Sequence, residues 1–191
     1  MASHLFSVLE SSVNDAWVRL DREQITPWVF MTAGPLFQIK DFYGKTIAYQ
    51  GIEFEGSPRH VFWGRYVEPF LEDVVDKIVN EALRLAEQKN QDTATVLADV
   101  SGLLKSLVYQ TYARMADIDQ RLRGNGLTKS APLRSTELEQ AAMDAFIDRR
   151  ISAELKMITP KWRVNAFYNE HPFLFWLLAL AAGVVATLLA G

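Results

Sequence analysis

Cysteine is absent from the 191-residue chain, which removes disulfides, thiolate nucleophiles and cysteine-ligated zinc or iron-sulfur centres from consideration. Histidine is scarce. The three that exist, His4, His60 and His171, fall in unrelated segments with no HExxH pair and no two-histidine helix face, so neither a metal nor a cofactor is expected. Positive charge is not concentrated either. The formal charge is −3 and no basic run is long, so no nucleic-acid partner is expected, because phosphate neutralisation needs a clustered basic face.

Catalytic signatures are missing as well. No GxSxG or SxxK motif occurs in a usable context, and Ser101-Gly102 lies inside a helical pattern with no strand before it. Gly124-Asn125-Gly126 follows a helix and leads into no Lys-Ser/Thr at phosphate-loop spacing. The chain therefore reads as non-enzymatic. Met1-Ala2-Ser3-His4 has no basic stretch, so a secretory signal is not expected. Ala2 stands where myristoylation needs glycine, and prenylation would need a C-terminal cysteine.

What the sequence does contain is a long uncharged run, PFLFWLLALAAGVVATLLAG, over residues 172–191. Twenty helical residues at 1.5 Å each cover about 30 Å, the thickness of a hydrocarbon core, so a single transmembrane helix is expected there. The preceding residues 161–171 form an amphipathic juxtamembrane connector. Lys161 and Arg163 supply cations, while Trp162, Phe167, Tyr168 and His171 are suited to the headgroup level. This one-sided cationic flank predicts a tail-anchored, single-pass protein whose domain faces the cytoplasm. Within the span Ala179 and Gly183 lie four apart, and Ala182, Ala186 and Ala190 continue that spacing on an adjoining stripe. Small residues so placed let helix backbones approach closely, so self-association through the tail is expected, with the lipid bilayer itself as a partner.

The remaining 1–160 is long enough for one core. Leu5, Leu9, Val13, Trp17 and Leu20 repeat at helical spacing, predicting an amphipathic helix over 3–23. Thr26-Pro27 marks a further short turn and Gly34-Pro35 a break. From there the period changes to two, and 36–56 reads as an antiparallel hairpin reversing at Asp41-Phe42-Tyr43-Gly44. Ile47 and Tyr49 share one face; a bulge at Gly51 would carry Ile52 and Phe54 onto it and turn Glu53 and Glu55 outward.

Ser57-Pro58 is a helix start, with a capping hydroxyl before a proline whose missing N–H costs nothing. Phe62, Tyr66, Phe70, Val74, Ile78, Ala82 and Leu85 then give a wide apolar face, interrupted where Pro69 predicts a kink or split near Glu68. A second helix is expected over 93–123, ending at Gly124-Asn125-Gly126, followed by a loop over 127–134. Thr136 and Glu139 form a candidate capping box for a third helix through Met143, Ile147, Ile151, Leu155 and Ile158, stopped by Pro160. Asp148, Arg149, Arg150 and Glu154 on it are read as pairing along the helix. The fold class is thus mainly α, an α+β helical domain with one small hairpin.

The least ordinary stretch is EFEGSPRHVFWGRYVEP, which sets Glu53, Glu55, Arg59, His60, Arg65 and Glu68 among Phe62, Trp63 and Tyr66. Such a corner can hold a ligand or partner. The plainer alternative is that its aromatics are core and its charges solvate a helix entrance. Together these features predict a membrane effector of the toxin or bacterial-defence kind, in which the domain senses a ligand or partner and clustered tails act on the bilayer. A membrane-tethered adaptor recruiting an unknown soluble protein is the alternative. A membrane-associated enzyme is the third reading. Thr187, the one polar residue of the span, argues against a wet pore lined by the span alone.

Overall fold

The computed structural model of the chain describes residues 4–31, 36–124 and 135–170, with the backbone alone described at 4, 53 and 158–170. Its contacts divide the chain into a unit Met1–Ile151 and a unit Ser152–Gly191. The architecture is mostly helical with a small two-stranded antiparallel sheet.

Helix α1 (His4–Leu20) buries Leu5, Leu9, Val13, Ala16 and Leu20, while Trp17 lies half-buried at the edge of that face. It ends earlier than its periodicity predicts. A π-helical turn Asp21–Ile25 and a 3-10 turn Thr26–Phe30 follow, with Pro27 at the start of the latter. Proline has no amide to give the carbonyl four residues back, so the helix changes its hydrogen-bond pattern before reaching it.

Strands β1 (Phe37–Lys40) and β2 (Thr46–Tyr49) pair with Phe37 opposite Tyr49 and Ile39 opposite Ile47. The reversal is built by Asp41, whose Oδ1 accepts from the amides of Tyr43 at 3.0 Å and Lys45 at 2.7 Å. Ile47 and Tyr49 share the buried face, as their alternation requires. The expected bulge does not occur. At Gly51 the backbone adopts φ 102° and ψ 168°, and the chain enters a short helix α2 (Ile52–Glu55) whose Phe54 and Glu55 amides donate to the Gly51 carbonyl. A conformation open only to glycine ends the strand, so Glu53 and Glu55 sit on a helical turn and not on a wet strand face.

Ser57 caps α3 (Pro58–Phe62), its hydroxyl accepting from the Arg59 amide at 3.2 Å. The break expected near Pro69 is a π-helical turn Trp63–Val67 leading into α4 (Glu68–Gln88). Both π-helical turns end two residues before a proline. The connection 89–92 is short, and Asp92 closes it by accepting from Thr95 through both amide and hydroxyl at 3.1 and 2.6 Å. Helix α5 (Thr93–Gly124) then returns antiparallel along α4, with α1 packed on both. Trp28 stacks on Phe62 at 6.0 Å, and the Phe62 ring meets that of Tyr49 at 5.9 Å with a 53° tilt.

Helix α6 (Glu137–Glu170) departs from expectation at both ends. The hydroxyl that accepts from its first amide, Glu137, is that of Ser135 at 3.1 Å, in place of the Thr136 and Glu139 capping box. Pro160 does not stop it. Proline's φ is helical and its cost is one lost hydrogen bond and a local clash, which the backbone absorbs here. The charges of α6 also pair between helices: Asp148 meets Lys105 of α5 at 2.7 Å, and Arg150 meets Asp76 at 2.7 Å and Asn80 at 2.9 Å on α4.

The break at Gly34-Pro35, the loop 127–134 and the span 172–191 lie outside the described residues. Among the described residues no helix is long and apolar enough to cross a membrane.

Candidate functional site

The π-helical turn between α3 and α4 inserts one residue into the helical count, so Arg59, Trp63 and Glu68 follow at spacings of four and five. Arg59 and Trp63 meet α5. Arg59 is 2% exposed and its Nε lies 3.2 Å from Asp119 Oδ2, while the Ser57 hydroxyl donates to Asp119 Oδ1. Ser57 and Asp119 are equally buried. A carboxylate and a guanidinium removed from water hold their charges only through such mutual contacts, so this trio pins the helix entrance to α5.

One turn along, the Trp63 ring meets the Tyr112 ring at 4.5 Å with a 47° tilt. Tyr112 is buried, and its hydroxyl has no hydrogen-bond partner among the described residues. Burial raises the pKa of that hydroxyl above the usual phenol range, and the carboxylates of Glu139 and Glu68 raise it further; Arg59 opposes them, and Asp144 adds the least. Glu139 Oε2 and Asp144 Oδ1 are themselves buried oxygens without a hydrogen-bond partner among the described residues. The Glu68 carboxyl is also raised above its ordinary range, by burial first, then by Glu72 and Glu139.

The pair of Lys105 with Asp148 joins α5 to α6, and the contacts of Arg150 with Asp76 and Asn80 join α4 to α6. Lys105, Tyr112 and Asp119 are seven apart and form one polar stripe on α5.

The sequence-derived corner is therefore divided. Arg59, Trp63 and Glu68 turn inward. His60 and Arg65 are exposed. Glu55 accepts from the Gln50 amide at 2.7 Å and so ties α2 to the end of β2. The Glu53 side chain is outside the described residues, as are those of Lys161, Trp162, Arg163, Phe167, Tyr168 and His171 and the stripe Ala179, Ala182, Gly183, Ala186 and Ala190. Tyr112, Asp119 and Asp144 were not legible as site residues, and Glu139 was read only as a cap. The seven-residue spacing of polar groups on an otherwise apolar helix face is the signal that carries them.

Among the described residues no three His, Cys, Asp or Glu side chains are grouped to hold a metal ion. The arrangement joins a desolvated phenol and three part-buried carboxylates to an indole face, with the neighbouring guanidinium already paired to Asp119. It is acceptor-rich and short of donors. No family model matches the chain, and no curated protein or solved structure does.

Proposed function

We propose that this protein is a membrane-anchored, non-enzymatic effector: residues 172–191 span the bilayer as one helix, the helical unit senses a ligand or partner on the cytoplasmic side, and clustered anchors act on the membrane. The uncharged twenty-residue run carries the reading, since a segment of that length and composition matches a hydrocarbon core. The cations and aromatics of 161–171 suit the interface that would precede it. The small-residue stripe supplies a surface for self-association.

Light scattering on the detergent-solubilised full chain and on a chain ending at residue 168 tests the assembly step. A defined oligomer that needs the 169–191 segment is expected, together with loss of membrane potential on overproduction in bacterial cells. Monomers in both preparations, with no depolarisation, would exclude the effector.

A membrane-tethered adaptor is the second reading, favoured by large apolar side chains left exposed on the helical unit. Phe30 is 69% exposed, Phe54 76% and Tyr43 81%. Exposed apolar groups of this size mark protein contact surfaces when they gather. An adaptor remains harmless when overproduced and loses membrane recruitment of its partner when 172–191 is removed.

A further inference from the structure

We propose that the tip of the hairpin, residues 40–45 with Arg65 beside them, is a docking surface for a layer of anionic lipid headgroups. The contact is made by the helical unit, goes beyond the anchor over 172–191 and does not depend on it.

Tyr43 is 81% exposed, and residues 43–46 are exposed without interruption. A projecting tip of this kind cannot enclose a small ligand, which needs a concave site; it fits a surface broader than itself. Its conformation is nevertheless fixed. Asp41 Oδ1 accepts from the amides of Tyr43 and Lys45, and the Phe42 amide donates to the Arg65 carbonyl at 3.1 Å. The Phe42 ring meets those of Tyr43 at 5.3 Å and Tyr66 at 6.3 Å, both edge to face. An exposed aromatic braced in this way loses little freedom on binding.

Charge selects the partner. Lys40 and Lys45 flank the turn, and the bond from the Phe42 amide brings the Arg65 backbone to it. All three residues are exposed, and among the described residues none of them forms an ion pair. Asp41 is the one acid within 40–45, and its carboxylate is taken up by the two amides of the turn. Glu68, three residues on from Arg65, is half-buried. A chain of formal charge −3 thus gathers three cations around an exposed tyrosine.

That combination matches the boundary of a bilayer. A tyrosine has an apolar body and a polar end, which suit the headgroup level, and lysine or arginine beside it is drawn to the negative potential of anionic lipid. Three cations are too few for a nucleic acid, whose binding draws on a longer basic face.

The chain has no cysteine, so Thr46→Cys, at an exposed position opposite Lys40, accepts one environment-sensitive fluorophore and leaves the charges and rings of the tip intact. The labelled full chain is added to vesicles of phosphatidylcholine alone and of phosphatidylcholine mixed with phosphatidylserine. Blue-shifted emission that spin-labelled lipid quenches is expected only where phosphatidylserine is present. Lys40→Ala, Lys45→Ala and Arg65→Ala should each lower the ratio of bound to free tips about fivefold, the factor that corresponds to roughly 1 kcal/mol per cation near an anionic surface. Tyr43→Ser should lower it as well. Lys89→Ala, which removes an exposed cation after α4, should leave it unchanged. The same emission in both vesicles overturns the proposal, as does equal weakening by Lys89→Ala, the mark of diffuse attraction. A blue shift that polyglutamate produces in neutral vesicles overturns it in favour of an acidic protein partner. Alkaline washing of the neutral vesicles scores the anchor separately: retention of the chain without the phosphatidylserine signal keeps the anchor and rejects the tip, and that signal from a chain that washes off neutral vesicles does the reverse.

Discussion

The amide of Phe42, at the tip of the hairpin, donates to the carbonyl of Arg65 at 3.1 Å. In an unbroken α-helix that carbonyl would accept from residue 69, which is proline and has no N–H. The proline therefore frees an acceptor inside the π-helical turn, and the hairpin tip uses it. Replacing Pro69 with Ala returns a competing donor four residues along. The Phe42 amide should then exchange with deuterium about fivefold faster, the factor that corresponds to roughly 1 kcal/mol for one hydrogen bond. Unchanged exchange at Phe42 would show that the hairpin is held by its aromatic contacts alone.

Arg59 and Asp119 are both buried, so removal of either takes from the other its ionic contact in a place that water does not reach. Asp119→Ala or Arg59→Ala should cost about 3–5 kcal/mol, the usual penalty for breaking a buried pair. Replacing both with apolar residues, as in Arg59→Met with Asp119→Leu, should recover most of that loss. Denaturant unfolding of the four proteins gives the coupling energy. Additive losses in the double variant would mean that the two side chains do not depend on each other.

Parts of the fold written in neighbouring residues are legible in the sequence. The Asp41 to Gly44 reversal, the Ser57-Pro58 helix start and the apolar face of α4 each depend on interactions within a few positions. The strand ending at Gly51 was misread because alternation of Ile52 and Phe54 is compatible with one turn of helix as well as with a strand, and only the backbone angle at Gly51 separates them. The site was least legible. Arg59 and Asp119 are sixty residues apart, and the charges that act on Tyr112, those of Glu139 and Glu68, come from two other helices, so no local pattern announces them.

Two glycines should respond to alanine with opposite signs. Gly51 has φ 102° and ψ 168°, a region that a Cβ makes unfavourable by about 1–3 kcal/mol. Gly102 lies inside α5 with nothing within 4 Å of an added Cβ, where alanine gains about 0.5–1 kcal/mol in helix propensity. Thermal unfolding should show Gly51→Ala less stable and Gly102→Ala more stable than the parent. A neutral Gly51→Ala would place the turn into α2 under the control of neighbouring side chains.

The unpartnered Tyr112 hydroxyl should be a burden on the folded state. A buried polar group without a hydrogen bond costs about 1–3 kcal/mol, so Tyr112→Phe should raise stability. Denaturant unfolding of the variant and the parent measures the effect. Loss of stability would mean that the hydroxyl is bonded in solution.

Glu68 gives the cluster a pH dependence whose sign is fixed by the direction of its shift. Burial, then Glu72 and Glu139, hold its carboxyl above the usual range, so the folded protein takes up the proton more readily than the unfolded chain does. That preference contributes stability at pH below the ordinary carboxylate pKa and is lost as pH rises through the raised value. Gln at position 68 is neutral throughout and does not carry this loss. The melting temperature of Glu68→Gln relative to the parent should therefore rise between pH 4 and pH 8, with most of the change above the ordinary glutamate pKa. A relative melting temperature that falls with pH would mean that Glu68 is stabilised as a carboxylate, and the acidic cluster would then already possess its counter-charge.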